Sequence, residues 1–224
     1  GLIVAGYVRQ PFDQAELELE GNWQQIQWPV GADNIPLFSR KGKFSIHGKD
    51  EQYRIEALGD LDIEQQQATF NSEIDFTKDR LVLKRFDLKG FGGQTTLSGE
   101  VQFNTENPVY KLQAKLMNLI VPRALSKTLM VINKGDIELS GTIDAPLLNI
   151  QAALLVDTKP VNLSLTYQTD VSGSNQLDML AKMKMARAQF NGTAQLSDLF
   201  MLNGVVKLHQ VDPSLFAKDW PGTL

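Results

Sequence analysis

Apolar and polar residues alternate with a period of two along most of the chain, and this rhythm sets the first expectation. Val161, Leu163, Leu165 and Tyr167 interleave with Asn162, Ser164, Thr166 and Gln168. Tyr110, Leu112, Ala114 and Leu116 alternate with Lys111, Gln113 and Lys115, and Leu97, Gly99, Val101 and Phe103 with Ser98, Glu100 and Gln102. The pattern continues through Ile137, Leu139, Gly141 and Ile143, and through Leu177, Met179, Ala181, Met183 and Met185. Successive side chains of a strand point to opposite faces, so each segment predicts a strand with one apolar and one wet face. Turn residues punctuate the runs at Thr105-Glu106-Asn107-Pro108, Asp144-Ala145-Pro146 and Val171-Ser172-Gly173-Ser174-Asn175. The count is about 13 strands at the spacing of all-β folds.

Helical signal is thin. The best candidate runs from Pro122 to about Ile132, with Leu125 and Leu129 four apart; a short turn is expected at Pro213-Ser214-Leu215-Phe216. The chain also repeats itself. Lys41-Gly42-Lys43-Phe44-Ser45-Ile46-His47-Gly48 returns as Lys134-Gly135-Asp136-Ile137-Glu138-Leu139-Ser140-Gly141, shifted by 93. Thr96-Leu97-Ser98-Gly99 returns at the same shift as Gln189-Phe190-Asn191-Gly192. About two units are expected within one continuous segment spanning 1–224, roughly 30–127 and 128–220.

A one-sided sheet must hide its apolar face. Without covering helices it can form a sandwich, a closed barrel, or a sheet curled around something apolar that is not protein. Head-to-tail repetition suits neither a sandwich nor a barrel of fixed strand number, and it favours the third. The expected fold is therefore all-β: a long, U-shaped, taco-like sheet, antiparallel or mixed, with an apolar interior groove, repeated units and very little helix. The candidate lining is Phe44, Ile46, Tyr53, Ile55, Leu97, Val101, Phe103, Tyr110, Leu112, Leu116, Ile137, Leu139, Ile143, Val161, Leu163, Leu165, Tyr167, Met179, Met183 and Met185.

Composition narrows the function. Net charge is −4, from 22 basic and 26 acidic residues. The basic residues are scattered singly, which argues against nucleic acid, whose binders need a basic stripe to displace counterions. There are no cysteines, so disulfides and thiol chemistry are excluded. No stretch approaches the ~20 apolar residues of a membrane helix. Gly1-Leu2-Ile3-Val4-Ala5-Gly6 reads as a chain already inside a strand, and Trp220-Pro221-Gly222-Thr223-Leu224 ends as abruptly, so a piece of a longer protein is expected.

Three segments carry a family resemblance. Leu19-Glu20-Gly21-Asn22-Trp23-Gln24-Gln25-Ile26-Gln27-Trp28-Pro29-Val30 resembles the Trp–Trp–Pro stretch of the TamB family, and Leu88 to Val101 is similar to its glycine strand. Val211-Asp212-Pro213-Ser214-Leu215-Phe216 with Trp220-Pro221-Gly222 resembles its recurring connector; the first copy departs from it, having Val121-Pro122 where Asp-Pro is typical. The resemblance implies an inner-membrane-anchored protein of Gram-negative bacteria that crosses the periplasm. It implies an Omp85-type outer-membrane barrel, TamA, as partner of the full-length protein. The implied roles are phospholipid movement between the membranes and assembly of outer-membrane proteins and autotransporters.

Candidate chemistry is sparse, and no catalytic, metal or cofactor site is expected. His47 and His209, the two histidines, have no second histidine at ligand spacing. Gly90-Phe91-Gly92-Gly93 superficially resembles a phosphate loop but precedes a strand, which predicts a tight turn or bulge. Asp60 and Asp62 share one face, as a carboxylate pair or as ordinary wet-face residues. Met179, Met183 and Met185 read as core or as an adaptable surface for varied apolar guests. Trp23 and Trp28, five apart, would face opposite sides of a simple strand and are expected to pack at a turn or meet a partner. Three functions compete: a passive lipid conduit, a chaperone-like binder adding client strands to a sheet edge, and a carbohydrate hydrolase or lectin, which needs acids or aromatics in a cleft.

Overall fold

The computed structural model describes residues 1–9, 16–28, 37–63, 66–103, 106–121, 128–169, 173–195 and 201–211. Of these, 86% lie in strands and none in a helix. The strands are β1 (Leu2–Arg9), β2 (Glu16–Trp28), β3 (Leu37–Lys49), β4 (Gln52–Ile63) and β5 (Gln66–Thr77). Next come β6 (Arg80–Gly90), β7 (Gly93–Gln102), β8 (Val109–Ile120), β9 (Met130–Thr142) and β10 (Pro146–Val156). The last are β11 (Lys159–Thr169), β12 (Asn175–Met183), β13 (Ala186–Gln195) and β14 (Met201–His209). All 14 form one sheet in which spatial order is chain order. Pairing is antiparallel throughout, with no mixed portion, and the sheet does not close into a barrel.

Local chemistry explains this meander. The turns at Asp50-Glu51 (φ 52° and 62°), Phe91-Gly92 (51° and 76°) and Asp157-Thr158 (46° and 70°) each put two consecutive residues in the left-handed region. Two-residue turns of that hand match the right-handed twist of the strands they join. The glycine-rich run at Gly90–Gly93 is thus the β6–β7 hairpin.

The helix expected from Pro122 to Ile132 is not formed by its described part. Residues 122–127 lie outside the described residues, and Met130, Val131 and Ile132 open β9, paired with Val156, Leu155 and Leu154. β-Branched side chains that find a cross-strand partner override a weak helical spacing. The connector at Pro213–Phe216 also lies outside the described residues. Gln25 in β2 and Asn118 in β8, six strands on, share a φ of 54°; Phe91 and Lys184 open the loops after β6 and β12 with φ of 51° and 47°.

A single layer has little interior. The chain exposes 15177 Å², about half again the ~10,200 Å² of a compact monomer of its 25.0 kDa mass. The buried cluster is Leu177, Phe190 and Ala194, flanked by Leu165 and Tyr167.

Candidate functional site

Residues directly opposite one another in an antiparallel pair lie on the same face, so the register maps each face. One cross-strand row runs through every strand: Gly6, Leu19, Ile46, Ile55, Ile74, Leu83, Gly99, Leu112, Leu139, Leu148, Tyr167, Leu177, Gly192 and Gly204. The neighbouring row also crosses all strands, from Val4 through Gly21, Phe44, Ala57, Ser72, Phe86, Leu97, Ala114, Ile137, Ile150, Leu165, Met179 and Phe190 to Val206. Away from the strand ends, no position in this phase carries a charge. Among the described residues no second layer covers this face.

The register places seventeen of the twenty candidate lining residues on this one face. The exceptions are Phe103, Ile143 and Met185, which follow the last residues of β7, β9 and β12 and are 42%, 76% and 74% exposed. Alternation in sequence carries past the strand end; the sheet does not. Met179 and Met183 remain on the face, opposite Phe190 and Ala186. His47 and His209 lie in the other phase and are exposed.

Sequence reasoning missed part of the face. Trp23 is not at a turn: it lies within β2, its ring stacked between Phe44 (6.5 Å between centroids) and Phe70 (6.2 Å), and Phe70 stacks on Phe86 (5.7 Å). The indole reaches β5 by lying across the glycines of the two intervening strands. A Cβ on Gly59 would come within 2.7 Å of Trp23 Cζ2, and one on Gly42 would fall inside the ring. The indole Nε1 donates to Ser39 Oγ at 2.7 Å, which satisfies the buried end of the ring. The left-handed Gln25 shifts the alternation by one residue, so Ile26 pairs opposite Ser39 in the phase of Trp23.

The polar face is organised by hydrogen bonds and ion pairs. Asp60 accepts from the backbone N–H of Arg40 (2.7 Å) and Lys41 (3.0 Å) and from Ser39 Oγ (3.3 Å) at the β3 bulge. Burial works to raise the Asp60 carboxyl, but the two N–H donors, the Arg40 guanidinium and the Ser39 hydroxyl outweigh it and hold the group below the usual carboxylate range. Asp75 is held low by hydrogen bonds from Arg54 (3.0 Å) and Lys84 (2.7 Å). The Tyr7 hydroxyl donates to Glu18 and Glu16, which pushes its pKa up to about 12. Asp62 shares the phase of Asp60, but the Asp60 carboxylate is committed to the bulge, so the two do not form a free acid pair.

These carboxylates set an expected pH response. A group whose folded pKa is depressed contributes stability that is present above the unfolded value, ~4 for Asp, and is lost as pH falls through the folded value. Thermal melts should be flat from neutral pH to about 5 and fall below about 4, less steeply in the double variant Asp60→Asn/Asp75→Asn. Asp60→Ala at neutral pH strips the partner from two backbone donors and should cost about 2 kcal/mol in a urea titration. An unchanged midpoint would mean that the bulge is satisfied another way.

Three depressions, of about 680, 410 and 390 Å³, lie on the polar face. The largest is a furrow across the first six strands, floored by the backbone around Gly21, Phe44, Ala57 and Ser72 and walled by residues such as Glu20, Lys43, Glu56 and Arg85. Its walls mix both signs of charge with Ile3 and Leu58. Among the described residues no group of three His, Cys, Asp or Glu side chains is placed to hold a metal. No family model, curated protein or solved structure matches the chain.

Proposed function

We propose that this chain is a segment of a bridge-like protein that carries phospholipid acyl chains along its apolar face, between the inner and outer membranes of a Gram-negative cell. The observation that carries the reading is the open face: fourteen strands wide, uncharged away from the strand ends, and uncovered by any other described element. Burying acyl chain gains ~0.8 kcal/mol per methylene group, and strands ~4.8 Å apart lay out a path of roughly 60 Å. The polar rows on the other face stay in water. Location, anchoring and the partnership of the full-length protein with an Omp85-type barrel, TamA, rest on the resemblance to the TamB family. A second reading, support of outer-membrane protein or autotransporter assembly by binding unfolded client strands, would use the backbone at the sheet edges.

Trp23 provides the test. With Trp28→Phe and Trp220→Phe it becomes the sole tryptophan, on the apolar face. Vesicles of phosphatidylethanolamine and phosphatidylglycerol with acyl chains brominated at mid-length should quench its emission, and vesicles brominated only in the headgroup should not. Mass spectrometry should find phospholipid retained by the purified chain. A chain with no retained phospholipid and no quenching would sink the lipid reading, and client strands bound without lipid would favour the second.

A further inference from the structure

Along β10 to β13 the apolar face is bordered by charge on one side. There the strands end in the turns Asp157-Thr158 and Lys184-Met185. Lys159, Lys182, Lys184 and Arg187 gather at these ends, all exposed, and among the described residues there the one acid is Asp157. At the opposite ends of the same strands stand Pro146, Thr169, Asn175 and Gln195, none of them charged.

The register brings the four cations together. Lys182 and Arg187 face each other directly across the β12–β13 hairpin, a placement that like charges disfavour. A comparable pair, Glu56 opposite Glu73, is balanced, because Arg54 and Lys84 stand 3.6 and 3.2 Å from Glu73. Lys182 and Arg187 have no such balance. Among the described residues none of the four cations makes an ion pair within 4.0 Å. Arg187 donates to the neutral Gln189 at 3.0 Å, and the carboxylate of β12, Asp178, accepts from Asn191 further along the strand. The outer neighbours in the same row are Asn162 beside Lys182 and His209 beside Arg187, so no carboxylate enters from β11 or β14. Continued by two residues, the β11–β12 register sets Lys184 beside Pro160 and next to Lys159.

These cations surround the end of the apolar path. Lys159 shares the phase of Val161 and Leu163, Lys182 and Arg187 lie in the other phase, and Lys184 occupies the turn between them with φ 47°. Just inside, Met183 is opposite Ala186, and Ala181 is opposite both Ala188 and Leu163. Three methyl side chains keep the face shallow where it meets the charge. Met185, in the turn itself, is 74% exposed. The complement of this surface is a molecule with an anionic head at the border and an apolar tail on the face.

We propose that Lys159, Lys182, Lys184 and Arg187 hold the phosphate of a phospholipid whose acyl chains lie over Ala181, Met183 and Ala188, and that they favour headgroups of net negative charge. This rests on the apolar face being the acyl-chain path proposed above. Ammonium and guanidinium groups make charge-assisted hydrogen bonds to phosphate oxygens. Their flexible stems let them reach one phosphate from either side of the border. A zwitterionic headgroup carries a cation of its own into the cluster and is disfavoured.

Titration of the whole chain with short-chain lipids, below micelle formation, tests this. Dihexanoylphosphatidylglycerol should bind about tenfold more tightly than dihexanoylphosphatidylcholine, and high salt should erase most of the difference. Lys182→Gln/Lys184→Gln/Arg187→Gln removes no ion pair and relieves one repulsion, so it should stay as stable as the native chain and bind the two lipids alike. Lys43→Gln/Lys49→Gln/Lys78→Gln changes net charge equally and should keep the preference. Acetylation read by mass spectrometry should show Lys159, Lys182 and Lys184 protected by phosphatidylglycerol and reactive in inorganic phosphate. Equal binding of the two lipids, or a preference that survives in the first triple variant, would overturn the headgroup site and leave the acyl-chain path standing. Binding of neither lipid would overturn both. Protection by inorganic phosphate as strong as by the lipid would mark a site for free phosphate and overturn the headgroup assignment.

Discussion

Trp23→Ala should destabilise the chain by about 4 kcal/mol, among the largest losses available to a single substitution in a sheet with so small a buried core. The indole holds Phe44 and Phe70 in one stack, covers Gly42 and Gly59, and donates to Ser39. Truncation uncovers two strands' worth of backbone, strips two aromatic contacts and leaves Ser39 Oγ without its donor. The complementary change is Gly42→Ala, whose methyl group would occupy the space of the ring; overpacking of this kind costs about 1–3 kcal/mol. In Trp23→Phe the smaller ring leaves room, so Gly42→Ala should cost at least 1 kcal/mol less there than in the native background. Urea titrations of the two single variants and the double variant measure this coupling. Strict additivity would mean that the indole does not lie over Gly42.

Most of the architecture was legible because a strand's alternation is written directly into sequence. The all-β class, the one-sided strands and the turns at Asn107-Pro108 and Ala145-Pro146 all follow from local chemistry. The losses have a common cause, which is any backbone feature that shifts the phase by one. In β6, Leu81 and Leu83 are followed by Phe86 and Leu88, and the extra residue is absorbed at the bulge around Lys84. A strict two-residue template carried on from Leu83 reads past Phe86, although the register puts it on the apolar face; Phe70, in strict alternation with Ala68, Ser72 and Ile74, shares that face. Trp23 was misplaced for the same reason: the expectation that put it at a turn assumed an extended Gln25, and Gln25 is left-handed. At strand ends the error runs the other way, and alternation drew in Phe103, Ile143 and Met185, which sit beyond the ladder.

What the apolar face is for can be separated from what holds it together by placing the same charge at two positions. Phe190→Arg should unfold the chain or cost at least about 4 kcal/mol, because Phe190 is 7% exposed and packs with Leu177, and a charge there loses its water without gaining a partner. Leu163→Arg occupies the same face with different surroundings. Leu163 is half-buried, and its cross-strand partners are Ala152 and Ala181, two methyl groups that leave space above the sheet. A guanidinium on a flexible stem can lie along those alanines and reach water, so folding should survive at a cost of about 1 kcal/mol. Retained phospholipid and Trp23 quenching should nevertheless be lost, because the charge stands in the path of the acyl chains. Asn162→Arg, one residue away on the wet face, controls for charge alone and should change neither stability nor lipid. Thermal melts with lipid analysis of the three variants decide the matter. If Leu163→Arg unfolds like Phe190→Arg, the face is a closed protein core. If Leu163→Arg stays folded and still retains phospholipid, the apolar rows are not the surface that carries it.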